Sequence, residues 1–480
     1  MRARTPDLFH RVYGTARAAQ FWDHMFRVDD EWLRMHPMRE VILNDPEHAC
    51  GFRLFGDETG LNKGSDRPCS ILTVHAEGCE LPTWQSKLPV LVMPDHFKVD
   101  QVTMPAVHEI MQWSFNIWAT GKWPHHNHKG HPFGSRTWRG KRAGEWLTPE
   151  RHRGIYLGTL ADWKWVGETY HFQHTYKKTD LCHFCTASKR ADARNFAHFC
   201  ACPARSHATY MASLQAAMSP LTKTIGWHIT TVWPEAMHAG PLGTCMILNG
   251  VCLHDLCDEG YFGDGGGPGE WKMRLRIQLD DAFDEFLSWS GANMIEHSQK
   301  RFTVAKLSLK TLKSFPLLKG KAHNELVVQQ WMAKITSDVI HWHRANGREI
   351  SEYQTLRACI CWAWDTFFAV CRSAGPEFND AEVAKLTECG TFMFHGWNEA
   401  ASMSIRDGKP RWNMIPKHHA MWHVWSDAIR TRRNPAKQWA FMDEDAMQKI
   451  SKIAMKCHGS SVNKRALGRW ILHFFGEECI

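Results

Sequence analysis

The chain of 480 residues lacks a block of like charges, a low-complexity tract and an internal repeat of fixed period. These absences exclude a disordered, fibrous or solenoid protein. With 44% apolar and 22% charged residues, the composition is that of an ordinary globular protein. A chain of this length predicts about two or three domains, each with its own core.

No apolar run of the sequence is expected to cross a bilayer. The longest, Ala358 to Val370, is shorter than the roughly 20 residues that a spanning helix needs, and it contains Asp365, so it predicts a buried helix. The first twenty residues contain Arg but no continuous apolar segment of the kind found in secretory signals. We therefore expect an intracellular protein with no membrane partner.

Cysteine and charge leave several classes of function open. The 16 Cys of a long intracellular chain predict free thiols or metal ligands rather than a disulfide framework. Lys and Arg exceed Asp and Glu by 58 to 50, and the pI is near 8.7. This balance permits a polyanionic partner, but a mildly basic enzyme without one fits equally well.

The order of periodic segments predicts an α/β protein. Residues 1–38 form a helical lead-in, and residues 39–180 form the first part of a sheet-based core. Within that part we expect three consecutive strands, a helix, a His- and Gly-rich loop and a fourth strand, at 52–58, 70–78, 88–97, 104–123, 124–144 and 153–163. Catalytic groups are expected at the strand ends.

The rest of the chain predicts insertions followed by a return to the sheet. Residues 181–270 form a Cys/His-rich insertion, and residues 271–430 form a large helical insertion. Residues 431–480 are expected to supply C-terminal helices that complete the core, because Met447, Ile450 and Ala454 share one helix face.

Three acids stand where a metal site is expected. Asp57 follows a strand-like run in FRLFGDETG, and Asp162 ends the predicted fourth strand in YLGTLADW. Phosphoryl transfer with two Mg²⁺ about 3.5 to 4 Å apart needs several carboxylates at one point. The third acid is expected from the helix containing MDEDAM.

Helix geometry orders the three acids of that helix. Asp443 and Glu444 lie within roughly 60° of Met447 on the inward face, whereas Asp445 points away. An alternative is that the three acids only complement the positive end of the helix dipole.

A Cys-x-x-Cys pair, Cys182 and Cys185, has the spacing of two zinc ligands at a tight turn. His198, Cys200, Cys202 and His207 follow, so a Cys₂His₂ or Cys₃His site can close locally, with His198 and Cys200 as the preferred pair. Four protein ligands would make the zinc structural. Buried free thiols are the alternative, and the loop PHHNHKGH is expected to be solvated.

The order of these motifs resembles that of CACTA-like and Plavaka-like DDE transposases. Those families carry an early strand acid, a second strand acid, Cys-x-x-Cys, Asp-x-x-His, a helical insertion, Pro-Lys-x-His and a late Glu. The matching elements span about residues 45–457 and are GDETG, LADW, CHFC, EAMH with Glu235 in the Asp position and His238, PKHHAMWH, and DED.

The resemblance implies an RNase H-like mixed sheet and DNA strand cleavage and transfer with Mg²⁺ or Mn²⁺ held by Asp57, Asp162 and Glu444. It implies structural Zn²⁺, DNA as partner and nuclear localisation, and it is compatible with a homo-oligomer. The remaining motif and basic residues are expected to support these acids or contact DNA: Asp443, Glu235, His238, Lys417, His419, Arg430, Arg432 and Arg433.

Three other functions remain open. A domesticated, inactive DNA-binding protein would keep the fold without the chemistry, and Glu235 in place of Asp favours it. A metal-dependent nuclease would cut DNA without joining ends. A structural protein with coincidental acids predicts that Asp57, Asp162 and Glu444 lie far apart.

Overall fold

A computed structural model describes residues 6–60, 68–199, 202–213, 218–267 and 269–478. The chain divides into two compact units. Unit 1 comprises Met1–Arg190, Pro203–Trp233 and Ala440–Ile480, and unit 2 comprises Ala191–Cys202 and Pro234–Trp439.

Unit 1 contains a five-stranded mixed sheet. Its strands are β1 (Ala49–Gly60), β2 (Pro68–Ala76), β3 (Leu88–Pro94), β4 (Arg153–Ala161) and β5 (Val232–Pro234), in the order β3-β2-β1-β4-β5. The first three strands are antiparallel neighbours, and β4 runs parallel to β1. The mixed α/β class predicted from the sequence is confirmed.

Nine helices lie before and between these strands in the described part of unit 1. They are α1 (Pro6–Tyr13), α2 (Thr15–Val28), α3 (Glu31–Arg34), α4 (Arg39–Asn44), α5 (Thr83–Ser86), α6 (Thr103–Thr120), α7 (Trp138–Arg142), α8 (Trp163–Tyr170) and α9 (His207–Ser213).

Unit 2 is helical. Its helices are α10 (Ala236–Ala239), α11 (Cys245–Asp258), α12 (Trp271–Ala292), α13 (Ala322–Ala345), α14 (Glu352–Ser373), α15 (Asp380–Gly390), α16 (Trp397–Arg406) and α17 (Pro416–Thr431). The chain then returns to unit 1 with α18 (Phe441–Met455) and α19 (Val462–Glu478).

The sheet is central because both of its faces are covered. The first eight residues of β1 are buried without alternation, which is the pattern of a strand packed on both sides. On one face Phe52 and Leu54 pack with Phe115 of α6 and Tyr156 of β4. A separate cluster joins Ile155 and Leu157 to the tryptophans of α2 and α3, Trp22 and Trp32. The C-terminal helices lie on the same sheet, since α18 contacts β1 and α5, and α19 contacts β3.

The core of unit 2 is formed by α11, α13 and α14. The apolar run around Trp364 is buried in α14, as expected of a core helix. Among the described residues, one helical stretch, Ala236–Asp258, is long and apolar enough to cross a membrane by composition, and 83% of it is buried. Burial of this kind is typical of a core helix.

Candidate active site and metal-ligand clusters

The two strand acids follow residues that are paired across β1 and β4. Gly56 is in register with Ala161, and the next residue on each strand is an acid, Asp57 on β1 and Asp162 after β4. Neighbouring strands lie about 4.8 Å apart. The parallel pairing therefore brings two acids that are distant in sequence to adjacent positions on neighbouring strands.

Each of these acids is anchored by a local hydrogen bond. Asp162 is the N-cap of α8 and accepts a bond of 2.6 Å from the backbone N–H of Trp165. Asp57 accepts a bond of 2.7 Å from the N–H of Glu58. Both side chains are partly exposed. They are thus held in place but remain reachable from solvent, as a metal-binding carboxylate must be.

The extra acid beside Asp57 has other partners. The carboxylate of Glu58 lies 3.4 Å from Lys98 Nζ and 3.5 Å from Lys164 Nζ. Successive side chains of a strand point to opposite faces, so Glu58 and Asp57 point apart. Glu58 is therefore a surface ion-pair partner rather than a third ligand.

The acids of α18 have the order of burial predicted from helix geometry. Asp443 is 1% exposed, Glu444 is partly buried and Asp445 is exposed. Asp443 accepts a bond of 2.9 Å from Lys87 Nζ, and Asp445 lies 3.5 Å from Lys449 Nζ. Of the three acids, Glu444 is thus the one that is neither fully buried nor fully exposed.

Within the residues that the structure describes, the ligand atoms of Asp57, Asp162 and Glu444 do not all lie within 4.8 Å of one another. Strand register sets the neighbourhood of Asp57 and Asp162. The position of Glu444 depends on the packing of α18 against β1.

Cys182 and Cys185 form a compact thiol pair in unit 1. Their sulfur atoms lie within 4.8 Å of each other, and the N–H of Phe184 donates to Cys182 Sγ at 3.3 Å. The turn is held by residues 203–205, because Arg205 donates to the Cys185 carbonyl at 2.8 Å. Burial raises the pKa of the Cys182 thiol, but bonds from Cys185 and backbone N–H groups and the charge of Arg205 outweigh it and lower the pKa. The thiolate is thereby favoured.

A histidine pair lies on α17 in unit 2. His419 and His423 are one turn apart, and their Nε2 atoms are 3.1 Å from each other. His419 Nδ1 lies 3.2 Å from the carbonyl of Phe196. A bond from Nδ1–H to a carbonyl selects the tautomer in which Nε2 carries the lone pair, which is how ligand histidines are commonly oriented. Neighbouring His418 bonds the Met393 carbonyl instead, and burial lowers its pKa to about 4.

The other predicted zinc ligands are not tested by these contacts. His198 belongs to unit 2, where its carbonyl lies 3.8 Å from Cys202 Sγ. Cys200 lies outside the described residues. Their role as ligands stays a prediction. The His-rich loop around His125 is largely exposed, as expected.

Glu235 and His238 form a helix cap. The Glu235 side chain accepts from the backbone N–H groups of Met237 and His238, and from His238 Nδ1 at 2.7 Å. Glu235 is 4% exposed. A carboxylate at the N-cap of α10 satisfies otherwise unpaired N–H groups, so a structural role accounts for this motif.

Several predicted DNA-contacting residues have protein partners within unit 2. Lys417 Nζ donates to the Leu242 carbonyl at 2.6 Å. Arg430 pairs with Asp427 at 2.5 Å, and Arg432 with Asp380 at 2.6 Å. These contacts position the side chains in the fold. A DNA contact for them, or for Arg433, stays a prediction.

One cluster of ligand-type side chains was not predicted. His254, Asp255 and Asp258 on α11 bring their ligand atoms within 4.8 Å of one another. Arg411 faces this group, with bonds of 2.6 Å to Asp255 and 2.7 Å to Asp258 and a contact to His254. A guanidinium thus already compensates the two carboxylates. The only sequence signal was the spacing of these residues on one helix face.

The described residues therefore contain clusters compatible with metal binding. Comparison with known families adds no assignment, since no protein-family model and no curated protein matches the sequence.

Proposed function

We propose that the protein is a DDE-type transposase with an RNase H-like core, which catalyses metal-dependent DNA strand cleavage and transfer at transposon ends. The register of Gly56 with Ala161 carries the proposal, because it brings Asp57 and Asp162 side by side. A mixed sheet with acids at neighbouring positions of two strands and an acid-bearing helix packed on it is what the family resemblance implies.

The donor set fits hard divalent cations. Mg²⁺ and Mn²⁺ prefer carboxylate oxygens, and Asp57, Asp162 and Glu444 supply three partly exposed carboxylates. Bound metal would lower the pKa of the attacking water or 3′-hydroxyl and stabilise the leaving 3′-oxygen. Asp57, Asp162 and Glu444 would hold the ions.

Hydrogen bonds and ion pairs within the chain favour these assignments. The bond from the Trp165 N–H occupies one side of the Asp162 carboxylate and fixes its direction. The cations Lys98 and Lys164 engage Glu58, so that this acid does not compete for metal with Asp57. Lys87 likewise engages Asp443. Glu444, which is partly buried on the same helix, is the acid of α18 assigned to the site.

The test is Mn²⁺-dependent cleavage of labelled duplex DNA carrying transposon-end sequences. Asp57→Asn, Asp162→Asn and Glu444→Gln are compared with the wild-type chain and with the matched control Asp445→Asn, whose side chain is exposed on the same helix. Loss of a group that hydrogen-bonds to a metal ligand costs roughly 10- to 100-fold, so loss of a direct ligand should reduce the rate at least about a hundredfold. The control should cleave normally.

The same assay separates the alternatives. Cleavage and joining that both require the three acids support the transposase, and cleavage without joining identifies a nuclease. DNA binding without cleavage by the wild-type chain identifies a domesticated DNA-binding protein. Equal rates for Glu444→Gln and Asp445→Asn would contradict the role of Glu444.

We also propose that the chain binds structural zinc. Tetrahedral zinc with Zn–N distances of 2.0–2.1 Å puts two nitrogen ligands about 3.3 Å apart, close to the 3.1 Å between His419 and His423 Nε2. Cys182 and Cys185 are a thiolate-favouring pair with the matching Cys-x-x-Cys turn.

A further inference from the structure

The segment from Lys122 to Trp146, here called the tryptophan arm, is an ordered hairpin-like element between α6 and β4. Its two sides are joined by backbone bonds, from the Trp123 N–H to the Glu145 carbonyl at 2.8 Å and from the Phe133 N–H to the His125 carbonyl at 3.0 Å. Thr137 caps the short helix α7. The arm is therefore a built surface rather than an irregular loop.

The arm is strongly basic. It contains six Lys and Arg residues against one acid, Glu145, and the six are Lys122, Lys129, Arg136, Arg139, Lys141 and Arg142. All six are exposed. None of them forms an ion pair with a carboxylate in the part of the chain that the structure describes. Like charges gathered without compensation favour a polyanionic partner.

Aromatic rings are interleaved with these cations. Trp138 is 58% exposed, with the Arg142 guanidinium 4.9 Å from its ring and Trp123 packed edge-on at 4.9 Å. At the base of the arm, Lys122 and Arg153 both lie 5.1 Å from the Trp146 ring. Burying Trp138 would be favourable, so its exposure on a charged surface indicates a ring available for stacking.

We propose that the tryptophan arm binds a DNA strand with unpaired bases, with Arg139 and Arg142 contacting phosphates and Trp138 stacking on a base. An acidic peptide would use the cations but leave the exposed ring without a role. Aromatic rings between cations match the alternation of base and phosphate along a single strand. The choice of DNA rests on the proposed function.

The experiment measures anisotropy of a labelled single-stranded oligonucleotide, and of its duplex, bound to the full chain in Ca²⁺ over a range of salt. Trp138→Leu is matched by Trp342→Leu, because Trp342 is 50% exposed with Arg348 4.4 Å from its ring. Trp138→Leu should weaken single-strand binding about tenfold, as expected for one lost stacking contact. Trp342→Leu should bind like wild type.

The charge contribution has its own matched pair. Arg139→Gln/Arg142→Gln removes two cations from the arm, and Arg344→Gln/Arg348→Gln removes two exposed cations from another surface. Losing two phosphate contacts to a single strand should lower the slope of log K against log salt by about 1.4. An unchanged slope, or equal affinities for Trp138→Leu and Trp342→Leu, would overturn the proposal. The proposal would also be overturned if Trp138→Leu weakened binding to dextran sulfate as much as it weakened binding to the single strand.

The experiments distinguish a failure of the arm proposal from a failure of the proposed strand transfer. If the arm variants lose single-strand binding while the wild-type chain does not cleave in Mn²⁺, the arm proposal stands and the proposed strand transfer fails. If the wild-type chain cleaves and the arm variants bind normally, the arm proposal fails alone. Thermal melting checks that each variant remains folded.

Discussion

Gly56 lies directly against the indole ring of Trp165. A methyl group at Gly56 would come within 2.1 Å of Trp165 Cζ2 and 2.4 Å of Cε2. The ring covers the strand immediately before Asp57, and the N–H of Trp165 anchors Asp162. One close contact therefore links the two strand acids.

Gly56→Ala tests this contact. Because the ring must move, overpacking should cost about 1–3 kcal/mol of stability, and cleavage should fall because Asp162 shifts with α8. The matched control is Gly468→Ala in α19, where nothing lies within 4 Å of the added methyl. It should stabilise the protein by roughly 1 kcal/mol. Urea denaturation measures both changes, and an unchanged Gly56→Ala stability would contradict the contact.

The buried pair of Lys87 and Asp443 should be structural. Asp443→Asn leaves Lys87, which is 3% exposed, without its charge partner, and should cost about 3–5 kcal/mol. His75 lies 3.7 Å from Asp443 but does not replace Lys87, because burial and the charges of Lys87 and Arg53 hold the pKa of His75 well below its usual value.

Denaturation in urea compares Asp443→Asn with Asp445→Asn and with Lys87→Met/Asp443→Leu. The exposed control should change stability by less than about 0.5 kcal/mol. The double variant should cost less than the sum of its single variants, since no unpaired charge remains. Full stability of Asp443→Asn with lost cleavage would instead make Asp443 the third acid.

Zinc content tests the cysteine and histidine pairs. Cys182→Ser/Cys185→Ser and His419→Gln/His423→Gln should each lose zinc measured by mass spectrometry, whereas His125→Gln/His126→Gln in the exposed loop should keep it. If a variant with all four substitutions lost more zinc than either double variant, the chain would have to bind more than one zinc ion. Cobalt substitution should give a thiolate charge-transfer band that the cysteine variant abolishes. Zinc retained in both double variants would refute these ligands.

Glu325 should make stability depend on pH. It is fully buried, and burial raises its pKa from an ordinary 4.5 to about 8, although a bond from Asn249 and the charge of Lys306 lower it. The folded chain thus holds a proton that the unfolded chain releases. This contribution is full below pH 4.5 and is lost as pH rises to about 8.

Glu325→Gln keeps the shape and removes the titration. Above pH 8 this variant should be more stable than the wild-type chain. Between the two pKa values the wild-type chain should lose up to about 1.4 kcal/mol of stability per pH unit, and the variant should not show this loss. Chemical denaturation at several pH values measures the slope. Exposed Glu349→Gln should keep the wild-type slope, and a wild-type slope in Glu325→Gln would refute the prediction.

The sequence by itself determined the elements and part of the site. The buried part of β1 and the acid directly after that part are visible in the run FRLFGD, because strand type depends on local apolar content. Helix rotation alone separated Asp443 and Glu444 from Asp445. The Cys-x-x-Cys spacing similarly indicated a tight thiol turn, because two ligands so close in sequence meet through local backbone geometry.

Only the tertiary structure decided which of these residues meet. The parallel pairing of β1 with β4 places Asp162 beside Asp57, and no local pattern specifies that pairing. Lys87 reaches Asp443, and Arg411 fills the cluster on α11, through contacts between segments distant in sequence. Such contacts depend on how whole elements pack and bury their apolar faces, and local spacing carries no information about them.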